Sequence, residues 1–240
     1  MKKLVAYLTT AFPEKNFTID AILALKEAGV DKIELGIPFS DPVADGPVIE
    51  KANLIALENG FKLNDLFEVS EKIGSHIDTY WMGYFNSFYH KGYDFMINKA
   101  QNSKIKGFII PDLPYEETII YKDKFPLISF VAPTDSKERI KTILSDTKEF
   151  IYMVAYAGIT GMGKKEDLNE VISNIREVTK TPLYIGFGVN EKTAREKSRN
   201  VDGVIVGSAF IKVLLENDTY SNKIEKLTQI AKTIKEEINS

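Results

Sequence analysis

The 240-residue chain has no cysteine, only two histidines and one tryptophan, and no long apolar run. Without cysteine there is no disulfide framework, thiolate metal site or thiol nucleophile. His76 and His90 alone do not make a histidine zinc site, so no metal is expected. No stretch approaches the roughly 20 apolar residues that a membrane-spanning helix needs. Leu4 to Leu8 is too short for a secretory segment and runs into Thr9-Thr10 and Pro13. The expectation is a cytoplasmic protein with no membrane partner. Charge of one sign is also missing: 31 basic against 34 acidic side chains leave a net charge of -3. Such a balance does not suit nucleic acid or an anionic lipid surface as the main partner. Catalysis would therefore fall to carboxylates, hydroxyls, lysine, tyrosine or backbone groups.

What is present is a regular alternation of short β-branched runs with longer segments of helical period. Strands are expected at 4–9, 33–37, 79–83, 107–110, 127–131, 150–155, 183–185 and 204–206. Asn16 is placed to cap a helix whose apolar face is Phe17, Ile19, Ile22, Leu23, Leu25 and Ala28 and which Gly29 ends. Pro47 opens a second helix, and Asn64 is placed to cap a third that ends near Gly74. Further helices are expected at 93–100, after Pro114, at 136–144, 168–178 and 192–197, and from 224 to 238, with a short one directly after the last strand. Strands this apolar are buried on both faces, as parallel sheets require. A doubly wound open sheet has the same alternation, but eight consecutive units of about 30 residues fit a closed barrel better. The expected α/β architecture is a single (β/α)8 TIM barrel, one domain over residues 1–240.

In such a barrel the chemistry sits at the C-terminal strand ends and the loops that follow them. Glu34 lies between Ile33 and Leu35 in an apolar strand, where burial would raise its pKa and fit it for general acid–base work. An isolated strand-end glutamate can equally face solvent or pair with a lysine. The loop after it carries Asp45 among turn-forming residues, giving two carboxylates on one connection. Gly186-Phe187-Gly188 closes the seventh strand and Gly207-Ser208 the eighth, before a helix start. Exposed amides there would cradle a phosphate, although each glycine alone also suits a tight turn. The stretch is not a dinucleotide fingerprint, because Glu191 stands at the third glycine position. Ala157 to Lys165, with three glycines, could close over a ligand or be a plain connection. Asp112 and Tyr84 could be binding groups, rim hydrogen bonds or neither. His76 and His90 read as solvated, and Trp81 as barrel packing.

The run from Glu34 through Leu-Gly-Ile-Pro-Phe-Ser-Asp-Pro-Val-Ala to Asp45-Gly-Pro47 closely resembles the signature of tryptophan synthase alpha chains. The resemblance continues in register through Ile110-Pro-Asp-Leu-Pro-Tyr-Glu-Glu117, Ala157-Gly-Ile-Thr-Gly161, Gly186-Phe-Gly188 and Gly207-Ser208. It implies cleavage of indole-3-glycerol phosphate to indole and glyceraldehyde 3-phosphate, with no metal or organic cofactor in this chain. By that likeness Glu34 is the general acid and base, and Asp45 binds the indole N1–H. Gly161, Gly188, Gly207 and Ser208 resemble phosphate ligands, with Phe187 in the same turn. Tyr7, Met82, Tyr84, Pro111 and Tyr152 resemble walls of the indole and glycerol pocket, and Thr160 a lid residue that closes near the catalytic aspartate. The likeness also implies an αββα complex with a beta chain that carries pyridoxal phosphate and receives indole through an internal tunnel. The loops bearing Asp41 to Pro47 and Gly158 to Lys165 would face that partner.

The chain departs from the family pattern in three places. Only Met1-Lys2-Lys3 precede the first strand where a short helix is common, so the barrel floor is expected to be covered differently. Thr10-Ala11-Phe12-Pro13 replaces a common Gly-Asp-Pro turn, and Tyr156 stands where the lid base often has arginine. Three rivals remain: a free-standing indole-releasing lyase, another phosphate-binding barrel such as a sugar-phosphate isomerase or epimerase, and a non-catalytic barrel that only activates a partner. The two carboxylates in their motif argue against the last two.

Overall fold

The computed structural model describes residues 1–154 and 168–240. Its first half runs β1 (Lys3–Thr9), α1 (Lys15–Glu27), β2 (Lys32–Gly36), α2 (Pro47–Glu58), α3 (Leu63–Ile73), β3 (Asp78–Met82), α4 (Phe85–Tyr89), α5 (Tyr93–Asn102) and β4 (Gly107–Ile109). The second half runs α6 (Tyr115–Thr118), β5 (Ser129–Val131), α7 (Lys137–Leu144), β6 (Ile151–Val154), α8 (Leu168–Val178) and β7 (Leu183–Gly186). It ends with α9 (Ala194–Lys197), β8 (Gly203–Val206), α10 (Ser208–Leu215) and α11 (Tyr220–Asn239).

All strand pairs are parallel, in the order β4-β3-β2-β1-β8-β7-β6-β5. A lone bridge from Phe108 to Leu127 brings β5 back against β4 and nearly closes the sheet into the expected (β/α)8 barrel. The two-residue strand period then sorts the side chains into two cores. Leu4, Ala6, Leu8, Ile33, Leu35 and Trp81 pack outward against the helices. Val5, Tyr80, Ile109, Ile128, Phe150, Tyr152, Tyr184 and Ile205 fill the lumen. Trp81 stacks on Phe108 at 5.7 Å and donates its indole N–H to Ser70 Oγ at 2.8 Å, so it packs rather than shelves a ligand.

The lower end of the lumen is closed by aromatic rings. Phe150 meets Tyr80 edge-on at 5.2 Å and stacks on Tyr184 at 4.7 Å. Below them Tyr80 donates its hydroxyl proton to Glu149 at 2.8 Å, while Lys32 Nζ reaches the Tyr80 oxygen at 3.4 Å and Asp78 at 3.3 Å. Rings exclude water from the apolar layer above, and the polar tips face the solvent below.

Two expected helix caps are displaced. The first helix is preceded by Glu14, not Asn16, and Thr18 donates its hydroxyl proton to the Glu14 carbonyl at 3.1 Å. The third is preceded by Lys62, because Asp65 already accepts the Lys62 N–H at 2.8 Å; Asn64 lies inside the helix and donates to Glu68 at 2.6 Å. Among the described residues no helix is long and apolar enough to cross a membrane.

Candidate active site

A cavity of about 230 Å³ opens at the C-terminal ends of the strands. Tyr7 comes to it from β1, Glu34 from β2, Met82 from β3 and Tyr152 from β6. Asp45 reaches it from the loop after β2, Phe187 and Gly188 from the turn after β7, and Gly207 and Ser208 from the start of α10. Nine of the sequence-expected residues thus surround one space. Pro111 does not; it lines a neighbouring cavity of about 360 Å³ that shares Ala44 and Phe187 with the first. Tyr84 stands behind Asp45 and not on the cavity wall. Thr160, Gly161, Tyr156 and the rest of the expected lid from Ala157 to Lys165 lie outside the described residues.

Glu34 is held at its strand position by pairing of β2 with both β1 and β3, opposite Tyr7 and Tyr80. It is 1% exposed, and one carboxyl oxygen has no hydrogen-bond partner among the described residues. Burial, reinforced by the charge of Asp45, pushes its pKa up to about 8. A carboxyl that is protonated at neutral pH and uncommitted to a protein partner is suited to giving and recovering a proton.

Asp45 has a different environment. Burial raises its pKa, but hydrogen bonds from the Tyr84 hydroxyl and the Asn53 amide limit the rise to about 6. Asn53 Nδ2 donates to Asp45 Oδ2 at 3.3 Å, and the Tyr84 oxygen in turn accepts the Ala44 N–H at 3.0 Å. The pair is therefore split near neutrality into a protonated Glu34 and an ionised Asp45, the condition for one acid and one anionic stabiliser in the same site.

The tyrosines obtain their space from glycine. A β-carbon at Gly36 would lie 2.6 Å from Cζ of Tyr7, and one at Gly186 would lie 2.7 Å from Cζ of Tyr152. Both rings thus lie across a neighbouring strand, beside the carboxylates. Burial pushes both phenols well above the usual range, so they stay neutral.

Several lining residues escape a reading by motif. Ile49 projects from the first turn of α2, Ile205 from β8, and Val189 and Asn190 follow the β7 turn. Lys212 stands one helical turn after Ser208, a spacing that offered a signal. Asn53 is 1% exposed on α2, and nothing in its local sequence marks it as a partner of Asp45. Asp112 is resolved as a structural group: its carboxylate accepts the Phe85 N–H at 2.8 Å and caps α4. Among the described residues no cluster of three potential metal ligands occurs.

Comparison with known proteins gives a consistent picture. Residues 1–239 match the family described as tryptophan synthase alpha chain. A tryptophan synthase alpha chain of Wolinella succinogenes is 54% identical over 247 aligned positions, covering 100% of this chain and 97% of that one. A Petrotoga mobilis counterpart is 40% identical, with 98% and 95% covered. Among solved structures, tryptophan synthase subunit alpha from Campylobacter jejuni superposes with a TM-score of 0.85 at 30% identity, covering 97% of this chain and 95% of that one. A chain of the tryptophan synthase complex from Pyrococcus furiosus gives 0.86 at 29% identity, with 98% and 100% covered.

Proposed function

Since the chain belongs to the tryptophan synthase alpha chain family, a lyase family, and serves as the alpha subunit in tryptophan biosynthesis, we propose that its 230 Å³ cavity cleaves indole-3-glycerol phosphate into indole and glyceraldehyde 3-phosphate. The observation that carries this reading is Glu34: buried, raised to about 8, with an oxygen left unpartnered at the cavity.

In this reading the protonated Glu34 gives its proton to indole C3. The ring becomes an indoleninium cation, whose N1–H faces the ionised Asp45. The Glu34 carboxylate then takes the proton of the glycerol C3′ hydroxyl. The bond between indole C3 and C3′ breaks, its electron pair returns to the ring, and C3′ becomes the aldehyde carbon. Glu34 ends protonated, so the cycle closes without an external acid. Tyr7, Met82 and Tyr152 would wall the ring, while amides at Gly188, Gly207 and Ser208 would hold the phosphate. By the family resemblance Thr160 and Gly161, outside the described residues, would complete the assignment. The family also supports a beta-chain partner, since the Pyrococcus furiosus chain comes from a tryptophan synthase complex. An αββα assembly that receives the indole, with pyridoxal phosphate held by the beta chain, is part of the proposal.

The test is indole release from indole-3-glycerol phosphate, with and without a beta chain. Wild-type chain is expected to turn over in both settings, faster with the partner; rapid turnover alone with no response to a beta chain would instead favour a free-standing lyase. Glu34→Gln should lose about 10^3-fold or more, equivalent to about 4 kcal/mol of barrier lowering. A folded Glu34→Gln chain with near-normal turnover overturns the mechanism.

A further inference from the structure

The turn after β7 is fastened from beneath by α9. Lys197 Nζ donates to the Phe187 carbonyl at 2.6 Å, and the Thr193 hydroxyl donates to the Gly188 carbonyl at 2.9 Å. Thr193 is itself held, since its oxygen accepts the Asn190 N–H at 3.0 Å. Two consecutive carbonyls of the turn are thus tied to the same short helix.

In a trans peptide the C=O and the following N–H point in opposite directions. Fixing the carbonyls of Phe187 and Gly188 toward α9 therefore aims the amides of Gly188 and Val189 away from it. The 230 Å³ cavity lies on that far side: Gly188 and Val189 line it, while Thr193 and Lys197 do not. Among the described residues neither amide has a protein acceptor. Two adjacent amides pointing into one concavity form an anion cradle.

The backbone needs this restraint. Phe187 has φ +69° and Gly188 φ +68°, consecutive left-handed residues of which the first carries a bulky side chain. A β-carbon at Gly188 would meet Lys197 Nζ at 3.0 Å, so the ammonium is pressed against the underside of the turn. Burial lowers the Lys197 pKa, but its charge still polarises the Phe187–Gly188 peptide from the carbonyl end.

We infer that Lys197, seconded by Thr193, is a positioning residue for phosphate: by clamping the two carbonyls it presents the Gly188 and Val189 amides to the substrate's phosphate and adds a cation behind them. The inference deepens the proposed lyase reading and rests on it for the identity of the phosphate ester.

The test compares Lys197→Met and Lys197→Arg with wild type in the full chain, both alone and with a beta chain. The readouts are kcat and KM for indole-3-glycerol phosphate and the Kd of glycerol 3-phosphate by calorimetry. Lys197→Met should raise both KM and that Kd about 10-fold, leave kcat within about 2-fold and leave indole affinity unchanged, while Lys197→Arg recovers most of the loss. This split separates positioning from a general structural defect, which would move kcat and indole binding as well. Should Lys197→Met fail to fold, Lys197→Ala is read the same way, because it too removes both the donor and the charge. A folded charge-removing variant with unchanged KM and Kd overturns the inference. Failure of the wild type itself to cleave the substrate, with glycerol 3-phosphate binding still dependent on Lys197, would overturn the lyase reading and leave the clamp standing.

Discussion

The ring of Tyr7 lies in the space that a side chain at Gly36 would occupy, with Tyr7 Cζ only 2.6 Å from the position of a β-carbon there. The two residues sit on adjacent paired strands, and Gly36 is two positions beyond Glu34. Gly36→Ala should therefore push the phenol aside and cost about 1–3 kcal/mol as overpacking. Urea unfolding measures the loss. Combining it with Tyr7→Leu should restore part of the stability and none of the indole pocket.

The split between the two carboxyls fixes a pH dependence. Free chain needs Glu34 protonated and Asp45 ionised, so kcat/KM should rise as pH passes about 6 and fall as it passes about 8. Asp45→Asn should remove the acid limb and much of the activity together. A profile flat from pH 5 to 9, measured with saturating coupling enzyme, would contradict the assignment.

Stability should move with the same group. The folded state keeps the Glu34 proton up to about 8, whereas the ordinary value is 4.5, so the folded chain binds more protons throughout that window. Stability from this residue is intact below about 4.5 and is lost progressively up to about 8, by at most about 5 kcal/mol. Glu34→Gln, neutral at every pH, should match wild type near pH 4 and exceed it increasingly up to about pH 8, where the difference levels off. Unfolding free energies of both chains at several pH values decide the matter.

The floor offers a separation of stability from catalysis. Tyr80 donates to Glu149 at 2.8 Å at the end of the lumen opposite the cavity. Tyr80→Phe should lose about 1 kcal/mol or somewhat more, as for a hydrogen bond to a charged acceptor near solvent. Thermal melting registers this loss, and kcat should stay at the wild-type value.

The alternation of strands and helices was legible because each strand is a short apolar run and most of the turns carry Gly, Pro or Asn. The helix α4 was not: Phe85 to Tyr89 is too short for a period to show, and its cap comes from Asp112, well downstream in the chain. Glu34 stood out because an acid inside an apolar strand is costly. Asp45 gained meaning only beside it, through the family motif, and its second hydrogen-bond donor, Asn53, looked like any polar helix residue. Lys197 and Thr193 were not legible as part of the site, because their partners are backbone carbonyls, which carry no sequence signal.

The thin join between β4 and β5 has one more implication. β1 meets β2 over five residue pairs and β8 over four, whereas a single bridge links Phe108 to Leu127. Mechanically the cylinder is a split ring, stiff along the wall opposite the slit and compliant at the slit. The Ile128 amide, bonded to the Phe108 carbonyl at 3.0 Å across that slit, should trade its hydrogen for deuterium sooner than its counterparts in β1, marking where the wall first parts.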